Sequence, residues 1–284
     1  MEPQIIRLYD DFTHGRMTRR SFLDRLTAAA GGAAAATALL SVLENDYAHA
    51  ETVAETDPRI TTRTVAIPGV EGLTGYLARP AGSARRPAVL VIHENRGLNP
   101  HIRDVTRRVA ADGFVALGLD FLSPMGGTPE DQDKGREMIG QLKPEDAVAY
   151  GRRVIAWLAA RPDANGKVGA VGFCWGGGMV NRLAVAEPDL DAGVAYYGIQ
   201  APLDQVSAIR APLLLQYAGL DERINAGAAA YEAALKAAGK TVEVHVYPGV
   251  NHAFNNDTAG PRYDKAAADL AWSRTLAWFG KYLA

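Results

Sequence analysis

Beyond residue 57 the chain alternates strand-like and helix-like stretches, and this alternation constrains its fold more than any other feature. Residues 88–93 read AVLVIH, a continuous apolar run of the kind that forms a central strand buried on both faces. The pattern predicts further strands over 63–67, 73–78, 114–119, 167–173, 192–197, 212–217 and 241–247, the first two paired as a hairpin around a Pro-Gly-rich turn. Helical spacing predicts helices over 102–111, 144–160, 176–186, 226–238 and 263–282. A β-α-β-α order gives a mostly parallel central sheet with helices on both faces and right-handed crossovers. No repeat or linker interrupts it, so residues 51–284 are expected to form a single α/β domain.

Composition narrows what such a domain can do. Thirty basic residues stand against 32 acidic ones, a net charge of −2, which gives no overall basic field for gripping nucleic acid. There is one cysteine, Cys174. Alone it cannot build an intrachain disulfide, a zinc finger or an iron–sulfur centre. If it has a chemical role, that role is as a thiol.

The first fifty residues are of another kind. Thr18-Arg19-Arg20-Ser21-Phe22-Leu23 matches the twin-arginine export pattern, an Ala-rich uncharged stretch covers 26–43, and Ala48-His49-Ala50 supplies small residues flanking a cleavage site. The apolar stretch is short for a spanning helix. Residues 1–50 are therefore expected to be an export leader. That would make the protein periplasmic or secreted, with no stable membrane insertion once the leader is gone. The alternative is a retained N-terminal helix in a cytoplasmic protein. Asp10 and Asp11 before the arginines, and Asp24 after them, favour that alternative.

The sharpest motif is Gly172-Phe173-Cys174-Trp175-Gly176-Gly177-Gly178. It sits where a strand ends and a helix begins, the G-x-nucleophile-x-G elbow with cysteine in the serine position. Glycines two residues either side remove Cβ atoms that would clash in so tight a turn. The helix start offers unpaired N–H groups and a positive dipole end to a thiolate. The competing reading is a buried structural cysteine. A nucleophile needs a base, and the base an orienting acid, in the chain order nucleophile, acid, base. Asp221 and His252 each follow a strand and supply that order, with Glu222 and Asp204 as competing acids. His93 reads as structural, and His101, near a helix start, is a weaker candidate. His14 and His49 fall in the leader.

These residues resemble the dienelactone hydrolase family of α/β-hydrolases over about residues 60–284. The elbow is similar to that family's cysteine form, and His93-Glu94-Asn95-Arg96-Gly97 to its HE-x-x-G segment. Tyr196-Tyr197-Gly198 and the surroundings of Asp221 and His252 fit as well. The resemblance implies an α/β-hydrolase fold, Cys174 as nucleophile, His252 as base and acid, and Asp221 as its orienter. It also implies a backbone oxyanion hole at Trp175 and Asn95, and Glu94 as a carboxylate contacting the resting thiol. Arg96, Tyr197 and Phe254 are candidates for substrate contact. One departure stands out. Dienelactone-cleaving members carry an arginine four residues after the catalytic histidine, where this chain has Asn256. Arg96, Arg103, Arg223 or Arg262 would have to replace it. The Gly- and Pro-rich segment 123–132 is either a mobile lid or an ordinary loop.

The expected activity is hydrolysis of a small-molecule ester or lactone through an acyl-cysteine. No cofactor is expected, and no metal, because the histidines lack ligand spacing and no phosphate-binding glycine motif occurs. Competing readings are a thioesterase or general carboxylesterase on the same scaffold, and a non-catalytic redox sensor. The lone cysteine leaves such a sensor without a resolving partner.

Overall fold

The computed structural model describes residues 1–284, the side chain of residue 49 excepted. An eight-stranded sheet forms the middle layer: β1 (Ile60–Ala66), β2 (Thr74–Pro80), β3 (Arg86–Ile92), β4 (Val115–Asp120), β5 (Ala164–Phe173), β6 (Ala192–Tyr196), β7 (Leu213–Ala218) and β8 (Val242–Tyr247). Their order is β1-β2-β4-β3-β5-β6-β7-β8. β1 and β2 form the expected antiparallel hairpin, β2 runs antiparallel to β4, and β4 through β8 are parallel. The polar alternation in β1 suits an edge strand with one solvated face.

Each strand feeds two cores. In β3, Ala88, Leu90 and Ile92 point to one face, and Val89 and Val91 to the other. That is the period-two geometry of a strand covered on both sides. The first face is covered by α6 (Pro144–Ala159), α7 (Trp175–Ala186) and α8 (Glu222–Ala237). The second is covered by α4 (Pro100–Ala111) and α9 (Lys265–Tyr282). Each fully buried Leu, Ile or Val contributes about 1.5–3 kcal/mol relative to exposure.

One segment departs from the sequence reading. Residues 132–141 form an unforeseen helix, α5 (Gln132–Gln141). Its two glycines and polar composition hide the helical period. The Asp131 carboxylate starts it by accepting the N–H groups of Asp133 and Lys134 at 2.8 and 3.2 Å. The loop before it is pinned rather than free. Asp120 accepts hydrogen bonds from the backbone N–H groups of Leu122 and Thr128 and from the Thr128 hydroxyl.

The N-terminal segment folds as a unit of three helices, α1 (Pro3–Thr13), α2 (Arg19–Ala30) and α3 (Ala33–Leu43). It has its own small core of Ile5, Tyr9, Phe12, Phe22, Leu26, Ala36 and Leu43. Phe12 and Phe22 stack at 4.5 Å. Thr18 caps α2 by accepting the Ser21 N–H, and Gly31 ends it in the left-handed region at φ 77°. α2 and α3 bend by 112°, and among the described residues no single helix is long and apolar enough to cross a membrane. Arg19 and Arg20 lie exposed at the start of α2.

This unit is fastened to the domain. The Arg96 guanidinium, buried, donates to the Tyr9 hydroxyl at 3.0 Å. Arg262 lies over the Tyr9 ring and donates to the Leu43 carbonyl and to Asn45. Arg136 of α5 lies over Phe12 at 4.1 Å. Further along, Asp104 of α4 accepts the N–H groups of Thr52 and Val53.

Candidate active site

The site lies along the carboxyl edge of the parallel strands, where α/β sheets place ligands. Cys174 follows β5, Tyr197 follows β6, Asp221 follows β7, His252 follows β8, and the 93–96 segment follows β3. Cys174 takes φ 55°, ψ −112°, a region a side-chain-bearing residue enters only under constraint. The constraint is visible around it. A Cβ on Gly172 would sit 2.1 Å from the Gly176 carbonyl oxygen, and one on Gly176 would sit 2.4 Å from the Ile92 carbonyl oxygen. The elbow therefore closes only with glycine at both places. The Cys174 N–H is held by the Tyr196 carbonyl at 3.0 Å.

α7 starts at Trp175, so its first-turn N–H groups lack intrahelical acceptors and face the sulfur's side of the turn. The Trp175 ring stacks on His93 and meets Phe121 edge-on. His93 is thus a packing residue, as its place in the sequence suggested.

Asp221, among three competing acids, is the one that meets the histidine. Its Oδ2 lies 2.5 Å from His252 Nδ1, while Oδ1 caps α8 by accepting the Ile224 N–H at 3.2 Å. Asp204 and Glu222 are exposed. Burial pushes the Asp221 pKa up, and the neighbouring His252 overrides it to hold Asp221 at about 2. Burial likewise opposes charge on His252, but the Cys174 sulfur and the Asp221 carboxylate outweigh it and raise His252 to about 10. Both neighbours therefore stabilise the imidazolium that forms once His252 has taken up a proton.

The remaining sequence candidates divide. Asn95 and Tyr197 line the cavity beside Cys174. The Tyr197 hydroxyl is buried with no hydrogen-bond partner among the described residues. Glu94 is buried, and its carboxylate accepts from Asn256 Nδ2 at 2.9 Å. Asn256, which stands where the family resemblance implies an arginine, therefore grips the glutamate. Arg96 turns to Tyr9 of α1, and Phe254 is fully buried among Tyr196, Tyr197 and Tyr247, so neither reaches the cavity.

Sequence reasoning set aside one residue that the fold brings in. His14, at the end of α1, places Nε2 3.4 Å from Cys174 Sγ, and its ring meets that of His252 edge-on at 4.6 Å. One ligand atom each from His14, Cys174 and His252 lie within 4.8 Å of one another. The cavity is about 550 Å³ and is walled by Phe12, His14 and Met17 on one side and by Trp175, Ile199 and Ile139 on the other. Its cations are Arg19, Arg136 and Arg223. Arg19 and Arg136 both pair with Asp133. Arg223 makes no ion pair or side-chain hydrogen bond among the described residues.

A dienelactone hydrolase family model matches residues 73–283, and a YqhI-like model matches residues 1–31. A carboxymethylenebutenolidase homologue from Escherichia coli O157:H7 is 32% identical over 250 residues, covering 82% of this chain and 92% of that one. A second, from Methylorubrum extorquens, is 31% identical over 234 residues, covering 77% and 80%. A dienelactone hydrolase neighbour from Klebsiella pneumoniae superposes with TM-score 0.72 at 31% identity, over 78% of this chain and 99% of that one. The chain belongs to the dienelactone hydrolase family of α/β-hydrolases. It is a hydrolase of ester bonds.

Proposed function

We propose that this hydrolase cleaves a small-molecule ester or lactone by covalent catalysis, with Cys174 as nucleophile, His252 as acid and base, and Asp221 as orienter. The observation that carries the reading is the strained Cys174 at the helix start beside a buried His252–Asp221 pair. The proton passes from Sγ to His252 as sulfur attacks the carbonyl carbon. The Trp175 and Asn95 N–H groups hold the oxyanion. His252 then protonates the departing alkoxide, leaving a thioester on Cys174. Water, giving its proton to His252, releases the acid and restores the thiol.

Single-turnover mass spectrometry of the full chain with an activated aryl ester tests this. A transient acyl mass on Cys174 that decays, and is absent in Cys174→Ala, supports the proposal. Folded protein that hydrolyses the ester with no adduct overturns it.

The free Arg223 on the cavity wall supports a substrate that carries a carboxylate. Of the four arginines considered, Arg96 and Arg262 are spent on the N-terminal unit and Arg103 lies over the Tyr76 ring. Arg223→Gln is expected to raise KM about tenfold for a carboxylate-bearing lactone, the scale of one charged hydrogen bond. KM for a neutral aryl ester should change less than twofold. Equal effects on both substrates would remove Arg223 from this role.

For residues 1–50, the packing supports retention over removal. Cleavage after Ala50 would strip the partners of the buried Arg96 and Arg262 and take away one wall of the cavity. We therefore read the N-terminal unit as part of the working enzyme.

A further inference from the structure

The resting thiol has two imidazoles facing it, and they are poised oppositely. His14 Nδ1 lies 2.7 Å from the Asp10 carbonyl oxygen. A carbonyl only accepts, so Nδ1 carries the proton and donates it there. In the neutral ring this leaves Nε2 a bare lone pair, and that lone pair faces Cys174 Sγ at 3.4 Å. Burial, with His252 and Arg223 nearby, holds the His14 pKa well below the ordinary histidine value, so the ring stays neutral. It can accept the S–H proton in a hydrogen bond but offers nothing to a thiolate.

We propose that His14 is a positioning residue of the active site, accepting a hydrogen bond from the Cys174 thiol and so holding the resting nucleophile in its protonated form. The contact is no plug, because Cys174 still lines the open cavity with His14 in place. Glu94, which the family resemblance assigns to this contact, is held by Asn256 instead. When a substrate carbonyl enters, the thiol proton shifts to His252 and sulfur becomes the nucleophile. His14 neither gains nor loses a proton in the cycle. The inference rests on Cys174 being the nucleophile of the proposed function, and it gives the N-terminal unit a chemical task.

The charged and titratable groups around the sulfur come from every side. His14 and Asp10 belong to α1, Arg223 follows Asp221 on α8, and His252, Tyr197, Arg96 and Glu94 complete the shell. A ring nitrogen of His14, one of His252 and the sulfur all lie within 4.8 Å of one another.

The test is the pH dependence of Cys174 alkylation by iodoacetamide in the full chain, read without any ester. This keeps it separate from the adduct experiment. A hydrogen bond to the neutral form disfavours the charged form. His14→Ala should therefore lower the midpoint of the alkylation curve by about one pH unit, raising the rate about tenfold on the acid limb. His14→Gln, which keeps an acceptor at similar reach, should restore most of the wild-type midpoint. Mere widening of access would raise the rate by one factor at all pH values and leave the midpoint in place, and that result overturns the proposal. So would protein isolated from its own cells beginning at Glu51, since it would lack His14 altogether.

Discussion

Asp221→Asn is expected to fold with near-normal stability and to acylate about 10³–10⁴ times more slowly, the scale seen when a triad carboxylate becomes an amide. Asp221 does two jobs with two oxygens. Oδ1 caps α8, and Oδ2 receives the proton-bearing Nδ1 of His252. Asparagine is as good a helix cap as aspartate, so the first job survives. The second fails. The amide is neutral, so nothing offsets the burial that opposes charge on His252 except the sulfur itself. Its NH₂ face also favours the tautomer with hydrogen on Nε2, which cannot take a proton from Cys174. Stopped-flow acylation together with a thermal melt separates the two jobs. Asp221→Ala should add a loss of about 1 kcal/mol in stability for the missing cap. An asparagine variant within tenfold of wild type would show that Asp221 does no more than start α8.

Gly172→Ala should be among the most destructive single methyl groups that could be added to this protein. The new Cβ would meet the Gly176 carbonyl oxygen at 2.1 Å and its carbon at 2.3 Å, both backbone atoms with no rotamer to escape into. Relief requires the elbow to open, and β5 and α7 to separate. A cost of roughly 3–5 kcal/mol follows for strain of this kind, which is a fall of roughly 10 °C in Tm for a domain of this size. Gly280→Ala in α9 is the control, because nothing lies within 4 Å of its Cβ position. It should be neutral or gain up to about 1 kcal/mol from helix propensity. Parallel melts decide it, and equal Tm values would mean that the elbow is softer than its contacts imply.

The catalytic domain was legible because its signals are local. An apolar run such as 88–93 has only one comfortable place in a sheet, and an elbow carries its glycines within two residues of the nucleophile. Chain order led to Asp221 and His252 in the sequence, and the fold sets them 2.5 Å apart while Asp204 stays exposed. Other features were closed to the sequence for a physical reason. α5 is stabilised by its cap and by docking so close that a Cβ on Gly135 would meet the Arg96 carbonyl oxygen at 3.0 Å, and such a helix lacks a strong period of its own. The packing of Tyr9 and Phe12 against Arg262 and Arg136 could not be read from the sequence of residues 1–50, because those partners lie more than a hundred positions away. His14 was discounted with its segment. Its clue, a histidine just past an amphipathic helix, gains meaning only once the partner is known to be Cys174.

The contact between His14 and Cys174 spans 160 positions, and this bears on how the molecule comes into being. An isolated helix as short as α1 is marginal in water. Tyr9 and Phe12 find their lids only when Arg96, Arg136 and Arg262 are already in place. The N-terminal unit therefore docks only after the later segments that carry Arg136 and Arg262 have formed. A nascent chain halted before residue 252 carries a formed elbow but neither the base nor the wall that serve it. The surroundings of the sulfur are complete only when His14 and His252, 238 positions apart in sequence, meet beside it.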